Sequence, residues 1–306
     1  MNFRELSYIT VVADCQNITK AAQKLYVSQP SLSHLISKVE DEIGLKLFDR
    51  TAYPLTLTYA GERYVETARQ ILRLSDNLTK EFMDISHGLA GRIVVGMPTE
   101  RVGYMLPRIL SVFKKEYPGI EVIPFEGKGE ILLEGVLKGQ CSIVIMPLGT
   151  NRQDFPSDLA SEKVYQEELT LVTEAGFVKP ELCVKGHPDC IDPEKLQTED
   201  FQYILSRKGH ILRAMTDHIL NQYLIRPGHI IESSSTITAF NLAVSGDGVA
   251  FVPQRTIEMA NKIHPYQSFH VGREGFYWDI VALYRKDAYL DQAERRFIEI
   301  AKELFQ

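Results

Sequence analysis

The chain has 306 residues, 44% hydrophobic and 24% charged, a balance that excludes a largely disordered polymer and leaves room for about two domains. Lys plus Arg number 34 against 40 Asp plus Glu, a formal net charge of -6, so any contact with nucleic acid has to come from a local surface. Four widely spaced cysteines exclude a disulfide framework, and the charged start Met1-Asn2-Phe3-Arg4-Glu5 with only short apolar runs predicts a cytoplasmic protein without membrane contact.

Residues 1–57 read as short helices followed by a turn-rich ribbon. Phe3, Leu6, Ile9, Thr10, Val12 and Ala13 form the inner face of a first helix. Asn17 is a good N-cap for a second helix over 18–25, in which Ala21 and Ala22 permit close packing. Ser28 caps a third helix with Pro30 in its first turn; Leu32, Leu35, Ile36, Val39 and Ile43 form its apolar stripe, and Gly44 ends it. Residues 51–58, alternating around Pro54, suit a two-stranded wing.

Over 58–87, Tyr64, Ala68, Ile71, Ser75, Leu78, Phe82 and Ile85 recur in alternating steps of four and three, with Val65 and Leu72 widening the seam. This predicts a helix roughly 40 Å long at 1.5 Å per residue, pairing with a second copy. The alternative is a helix packed on its own domain. His87-Gly88-Leu89-Ala90-Gly91 reads as a hinge. From Arg92 to Gln306, strand patterns at 93–95, 121–123, 143–145, 169–172, 229–231, 249–252 and 280–283 mostly alternate with helical stretches, which predicts an α/β region with largely parallel sheets.

The second and third helices, joined by a short break at Tyr26-Val27, form a helix-turn-helix. Gln29, Ser33, Ser37 and Lys38, with His34 beside them, lie on or near the face opposite the apolar stripe. No acidic residue occurs from Cys15 through Val39, and that window is where a duplex is expected. Residues 1–60 carry six basic and six acidic side chains, so charge alone also permits a protein-docking helix pair.

The full string decides between them. Asn17-Ile18-Thr19-Lys20-Ala21-Ala22, Val27-Ser28-Gln29-Pro30-Ser31-Leu32-Ser33, Leu47-Phe48-Asp49-Arg50 and Leu55-Thr56-Leu57-Thr58-Tyr59-Ala60-Gly61, at these spacings, resemble the LysR-type transcriptional regulators. The resemblance implies an α/β fold class with an N-terminal winged helix-turn-helix (1–57), a long linker and dimerisation helix (58–87), and a two-lobed, periplasmic-binding-protein-like effector domain. Lobe I is expected at 92–161 and 268–306, lobe II at 162–267. It implies a double-stranded DNA operator as partner, assembly as a homodimer or homotetramer, and RNA polymerase as a further partner. Carried over by position, Gln29, Pro30, Ser33 and His34 would lie near bases, and Ser28, Ser31 and Arg50 near the sugar-phosphate, with Lys38 and Tyr53 completing the DNA surface. His34 stands where the family often has Arg or Gln, and Tyr53 where a basic residue is common.

In the larger region, strand ends lead into helices at Pro98-Thr99-Glu100, at Ser206-Arg207-Lys208-Gly209 and at Ser233-Ser234-Ser235-Thr236, the places where an α/β fold binds small molecules. By resemblance a small-molecule co-inducer sits between the lobes near Thr99, Glu100, the Gly127-Lys128-Gly129 loop, Met146, Ser206 and Thr236. The plain alternative for each Ser or Thr is N-capping. Lys128, Arg207, Lys208 and Arg213 favour a small anionic metabolite. No cofactor or metal is expected: His187 between Cys183 and Cys190 matches no ligand spacing, the two cysteines match no strong redox motif, and Gly246-Asp247-Gly248 leads from helix into strand, the reverse of a dinucleotide loop. A solute-binding protein would need an export signal and no helix-turn-helix. An enzyme with a DNA-binding head would need a catalytic constellation. The sequence therefore reads as a regulator and not an enzyme.

Overall fold

The computed structural model describes residues 2–51, 53–85, 90–149, 156–260 and 264–306. The chain divides into two compact units, Met1–Gly88 and Leu89–Gln306. Of the hinge expected after the linker helix, His87, Gly88 and Leu89 lie outside the described residues.

In the first unit, helix α1 (Phe3–Cys15) opens with a capping box: the Asn2 side chain accepts the Glu5 N–H, and the Glu5 carboxylate accepts the Asn2 N–H. Helix α2 (Ile18–Lys24) starts at Asn17, whose side chain accepts the Lys20 N–H. Helix α3 (Gln29–Ile43) is capped by Ser28 and stopped by Gly44, whose φ of 74° a side chain would resist. Ile9, Val12, Ala21, Ala22, Leu32, Ile36 and Val39 pack with Leu47, Phe48 and Val65 into one core.

The wing begins earlier than expected: strand β1 (Phe48–Asp49) pairs antiparallel with β2 (Thr56–Leu57), so residues 51–58 supply only its second strand. The cause is a contact from the end of α3. The buried Glu40 carboxylate accepts the N–H groups of Leu47 and Phe48 and fixes that strand.

Helix α4 (Tyr59–Ile85) follows. Its first turn packs so closely that a Cβ on Gly61 would stand 1.9 Å from the Leu47 carbonyl oxygen. The expected heptad seam divides in two. Val65 and Ala68 are buried, with Val65 in the core beside α1, and Arg69 donates to Asp14 of α1 at 2.7 Å, so that half packs on its own domain. Further along, the seam residues Leu78 and Phe82 are exposed, at 50% and 60%, as is Leu74, which the seam did not include. The Ile85 side chain lies outside those described.

The second unit runs β3 (Ala90–Met97), α5 (Thr99–Glu116), β4 (Gly119–Glu126), α6 (Gly129–Leu137), β5 (Ile143–Pro147), β6 (Leu159–Glu174), β7 (Cys183–Val184), β8 (His187–Ile191), β9 (Gln202–Ser206), α7 (Ile211–Gln222), β10 (His229–Ser233), α8 (Thr236–Leu242), β11 (Val249–Pro253), α9 (Gln254–Met259), β12 (Tyr266–Val271), β13 (Phe276–Arg285) and α10 (Gln292–Phe305). All seven strand patterns named from sequence lie within strands. The sheets are not largely parallel, however. One continuous path runs β10-β9-β11-β6-β13-β5-β3-β4, and its centre is antiparallel because β6 and β13 connect the lobes.

The lobe limits at 161/162 and 267/268 both fall inside strands. From Leu159 to Leu169, β6 pairs with β13, and from Leu169 to Glu174 it pairs with β11 and β12. Among the described residues strand β12, through Val271, pairs with β6 and β8. Among the described residues no helix is long and apolar enough to cross a membrane.

Candidate functional site

Two surfaces carry the sequence-derived site residues, one in each unit. In the first unit, burial of Leu32, Ile36 and Val39 turns the other side of α3 outward, where Ser28, Gln29, Pro30, Ser31 and His34 are exposed and Ser33 is half-buried. The Ser28 hydroxyl stands 2.7 Å from that of Ser31 and accepts the Ser31 N–H, fixing the helix start. The Arg50 guanidinium, reaching back from the wing, donates to the Ser37 hydroxyl at 3.2 Å and stands 3.7 Å from Glu40. Tyr53 is 95% exposed on the wing.

Lys38 is exposed but not isolated. Its ammonium pairs with Glu5 at 3.3 Å and with Glu42 at 3.5 Å, so the window without acids in the sequence meets an acid in space. Its charge is engaged within the unit. Glu40, near the end of α3, anchors the wing through its contacts with Lys46, Leu47 and Phe48.

In the second unit, a cavity of about 520 Å³ lies between the lobes. Thr99, Glu100, Lys128, Ser206 and Thr236 all line it. Met146 does not: it is 1% exposed within the lobe I core, and its neighbour Pro147 takes the place on the wall. Alternation along β5 turns the Met146 side chain inward. Of the cations expected nearby, Arg213 is spent on Asp217 (2.8 Å) and Glu232 (3.0 Å), while Arg207 and Lys208 stand outside the lining.

The cavity floor holds a group that sequence reasoning missed. Arg101 is buried, donating to Glu167 at 2.7 Å and to the Tyr165 hydroxyl at 2.6 Å, with Tyr104 as a third partner. Glu167 also accepts the Trp278 indole N–H at 2.9 Å and the Arg255 N–H at 3.3 Å. Burial pushes the Tyr104 and Tyr165 phenols up; it opposes the Arg101 cation, yet the adjacent Glu167 outweighs it and holds that guanidinium charged. The floor is therefore a closed ion pair, not a free charge.

Three helices of at least nine residues start at this cavity with no side-chain cap: α5 after Pro98, α6 after Lys128 and α7 after His210. Uncapped first turns present N–H groups and favour negative charge. Among the described residues Lys128 has no carboxylate partner, and the buried Nε2 of His210 has no hydrogen-bond partner. The walls are apolar, with Tyr104, Ile131, Ile211, Leu212, Met259 and Trp278.

Cys183 donates to the Pro188 carbonyl and Cys190 to that of Gly272, and burial pushes both thiols up, away from the reactive thiolate. Among the described residues no group of His, Cys, Asp and Glu is placed to hold a metal ion.

Comparison with known proteins bears directly on both units. Residues 3–62 match the family described as bacterial regulatory helix-turn-helix protein, lysR family, and residues 86–306 match the LysR substrate binding domain. The chain is 28% identical to the uncharacterized HTH-type transcriptional regulator YcgK of Bacillus subtilis, over 99% of this chain and 94% of that protein. It is 28% identical to the HTH-type transcriptional regulator BsdA of the same organism, over 98% and 100%. Among solved structures, a full-length OxyR variant from Pseudomonas aeruginosa superposes with a TM-score of 0.71 at 24% identity, covering 99% of this chain and 94% of that one. These relatives are named as regulators, not enzymes, and the two matched domains together span nearly the whole sequence. The chain belongs to the LysR family of DNA-binding transcriptional regulators, with an N-terminal helix-turn-helix and a C-terminal domain that binds an effector.

Proposed function

We propose that this regulator binds its operator through the exposed face of α3 and responds to a small anionic metabolite held between the lobes of the second unit. The observation that carries the effector reading is the convergence of three uncapped helix starts, Lys128 and the unpartnered His210 nitrogen on one apolar cavity. Thr99 and Ser206 add hydroxyls to that lining, and Glu100 and Thr236 hold the lobes to each other across it. A bound anion acts by its differential affinity for two lobe arrangements, which in a dimer or tetramer changes how the DNA-binding units are presented.

The reading of α3 is supported by its short polar side chains at an exposed helix start, with Gln29, Pro30, Ser33 and His34 toward the bases, Ser28, Ser31 and Arg50 toward the sugar-phosphate, and Tyr53 on the wing. A solved CbnR, 22% identical with a TM-score of 0.59, is described as complexed with its target DNA. The exposed Leu74, Leu78 and Phe82 of α4 suit a homodimer helix pair, extending to a homotetramer through the second unit. RNA polymerase as a further partner and a cytoplasmic location fit a regulator of transcription.

One titration tests the DNA reading. Replacing Ser33 and His34 with Ala is expected to weaken specific operator binding several-fold in a gel-shift assay and to leave the sedimentation coefficient unchanged; undiminished binding contradicts the assignment. For the effector site, Lys128→Ala is expected to raise the effector concentration needed for half-response by about tenfold, with operator affinity in its absence unaltered. An unmoved dose-response in a reporter assay refutes it.

A further inference from the structure

This inference rests on reading the cleft as the effector site, and it concerns which acids that site admits. Glu100 of α5, on lobe I, is seated on lobe II. Its Oε1 accepts the Thr236 N–H at 2.7 Å and its Oε2 accepts the Thr236 hydroxyl at 2.8 Å, so both oxygens of one carboxylate are engaged by one residue. The Thr256 hydroxyl donates to that of Thr236 at 3.2 Å and orients it. One set of carboxylate-binding donors in the cavity is thus already filled by the protein's own carboxylate.

The charges around the cavity point the same way. Arg101 is matched by Glu167 and Arg255 by Glu258. Among the described lining residues, what remains is the Lys128 ammonium, the unpartnered His210 nitrogen and the negative charge of Glu100. One incoming carboxylate is balanced by Lys128. A second would have to displace Glu100 from Thr236 or lie against it, and like charges in a partly dehydrated cleft repel strongly. Meanwhile Ile131 from lobe I and Met259 from lobe II leave 50% and 37% of their surfaces open beside the cavity, apolar area that an apolar ligand body would cover.

We propose that the cleft selects amphipathic monocarboxylates and that Glu100 excludes dicarboxylates by occupying the donors of Thr236. Glu100 is then a specificity residue as well as a contact between lobes. The acid end of the ligand faces Lys128 and the uncapped starts of α6 and α7, and its apolar body lies between Ile131 and Met259.

The test uses two matched pairs of probes, hexanoate with adipate and benzoate with terephthalate, titrated calorimetrically into the full chain. The wild type is expected to bind at least one monoacid about tenfold more tightly than its diacid. Glu100→Gln keeps the size and the acceptor oxygen while removing the charge; it is expected to raise diacid affinity by about tenfold and leave monoacid affinity within about twofold. Glu100→Ala, melting with the same cooperativity, is expected to do the same and guards against a special property of the amide. Equal wild-type affinity for acid and diacid overturns this inference alone, as does a preference that persists in both variants. If none of the four acids binds, or if binding is indifferent to Lys128→Ala, the effector reading falls and takes the inference with it.

Discussion

Replacing Glu167 with Gln is expected to destabilise the second unit by roughly 3–5 kcal/mol, because it leaves the buried Arg101 cation without its counter-charge. The two tyrosine hydroxyls that also accept from Arg101 orient the guanidinium but carry no charge to neutralise it. At the size of this unit, such a loss lowers the melting temperature by on the order of 10 °C. Scanning calorimetry of the full chain reads it directly, and a shift under about 2 °C would show that the pair is dispensable. The double variant Arg101→Met/Glu167→Leu separates the two costs. Removing both charges avoids the stranded cation, so part of the lost stability is expected to return, short of the wild type because the Trp278 and Arg255 N–H groups still lose their acceptor. Recovery of that kind assigns the penalty to charge burial and not to lost packing.

The floor pair also shows how far the sequence could be read. Periodicity sufficed for the helices of the first unit and for seven strands of the second, because each is specified by neighbours a few residues away. Thr99, Ser206 and Thr236 stand at strand-to-helix turns visible in one dimension, and the resemblance to the LysR family named them and Lys128 for the cavity. Arg101 and Glu167 are 66 residues apart, and nothing near either announces the other. The same holds for one partner of Lys38, since Glu5 lies 33 residues upstream. Met146 failed differently. The resemblance named it for the cavity, but the alternation of β5 gives that wall to Pro147. The lobe limits fall inside strands because β6 serves both lobes in one uninterrupted strand, and no composition change marks the place where its partners switch.

Glu40→Ala is expected to cost the first unit about 2–3 kcal/mol, since it strands the N–H groups of Leu47 and Phe48 and removes the counter-charge of Lys46 at 3.0 Å. Burial by itself would push the Glu40 carboxyl up. The Lys46 ammonium and the two N–H groups outweigh it and hold the carboxyl below the usual carboxylate range. A carboxyl depressed in the folded state contributes stability that is full above its unfolded pKa and disappears as pH falls through the folded one. The acid limb of the stability curve is therefore expected to flatten in Glu40→Gln, which keeps an acceptor but no charge, and the amide protons of Leu47 and Phe48 should exchange faster in Glu40→Ala than in Glu40→Gln. Because Glu40 also stands 3.7 Å from Arg50, loosening it frees the residue that links the wing to Ser37. A weaker operator complex in Glu40→Ala, with α3 itself still protected from exchange, would mean that wing placement and DNA affinity depend on this one buried carboxylate. Unchanged exchange at Leu47 and Phe48 would mean that the wing is held by its strand pairing alone.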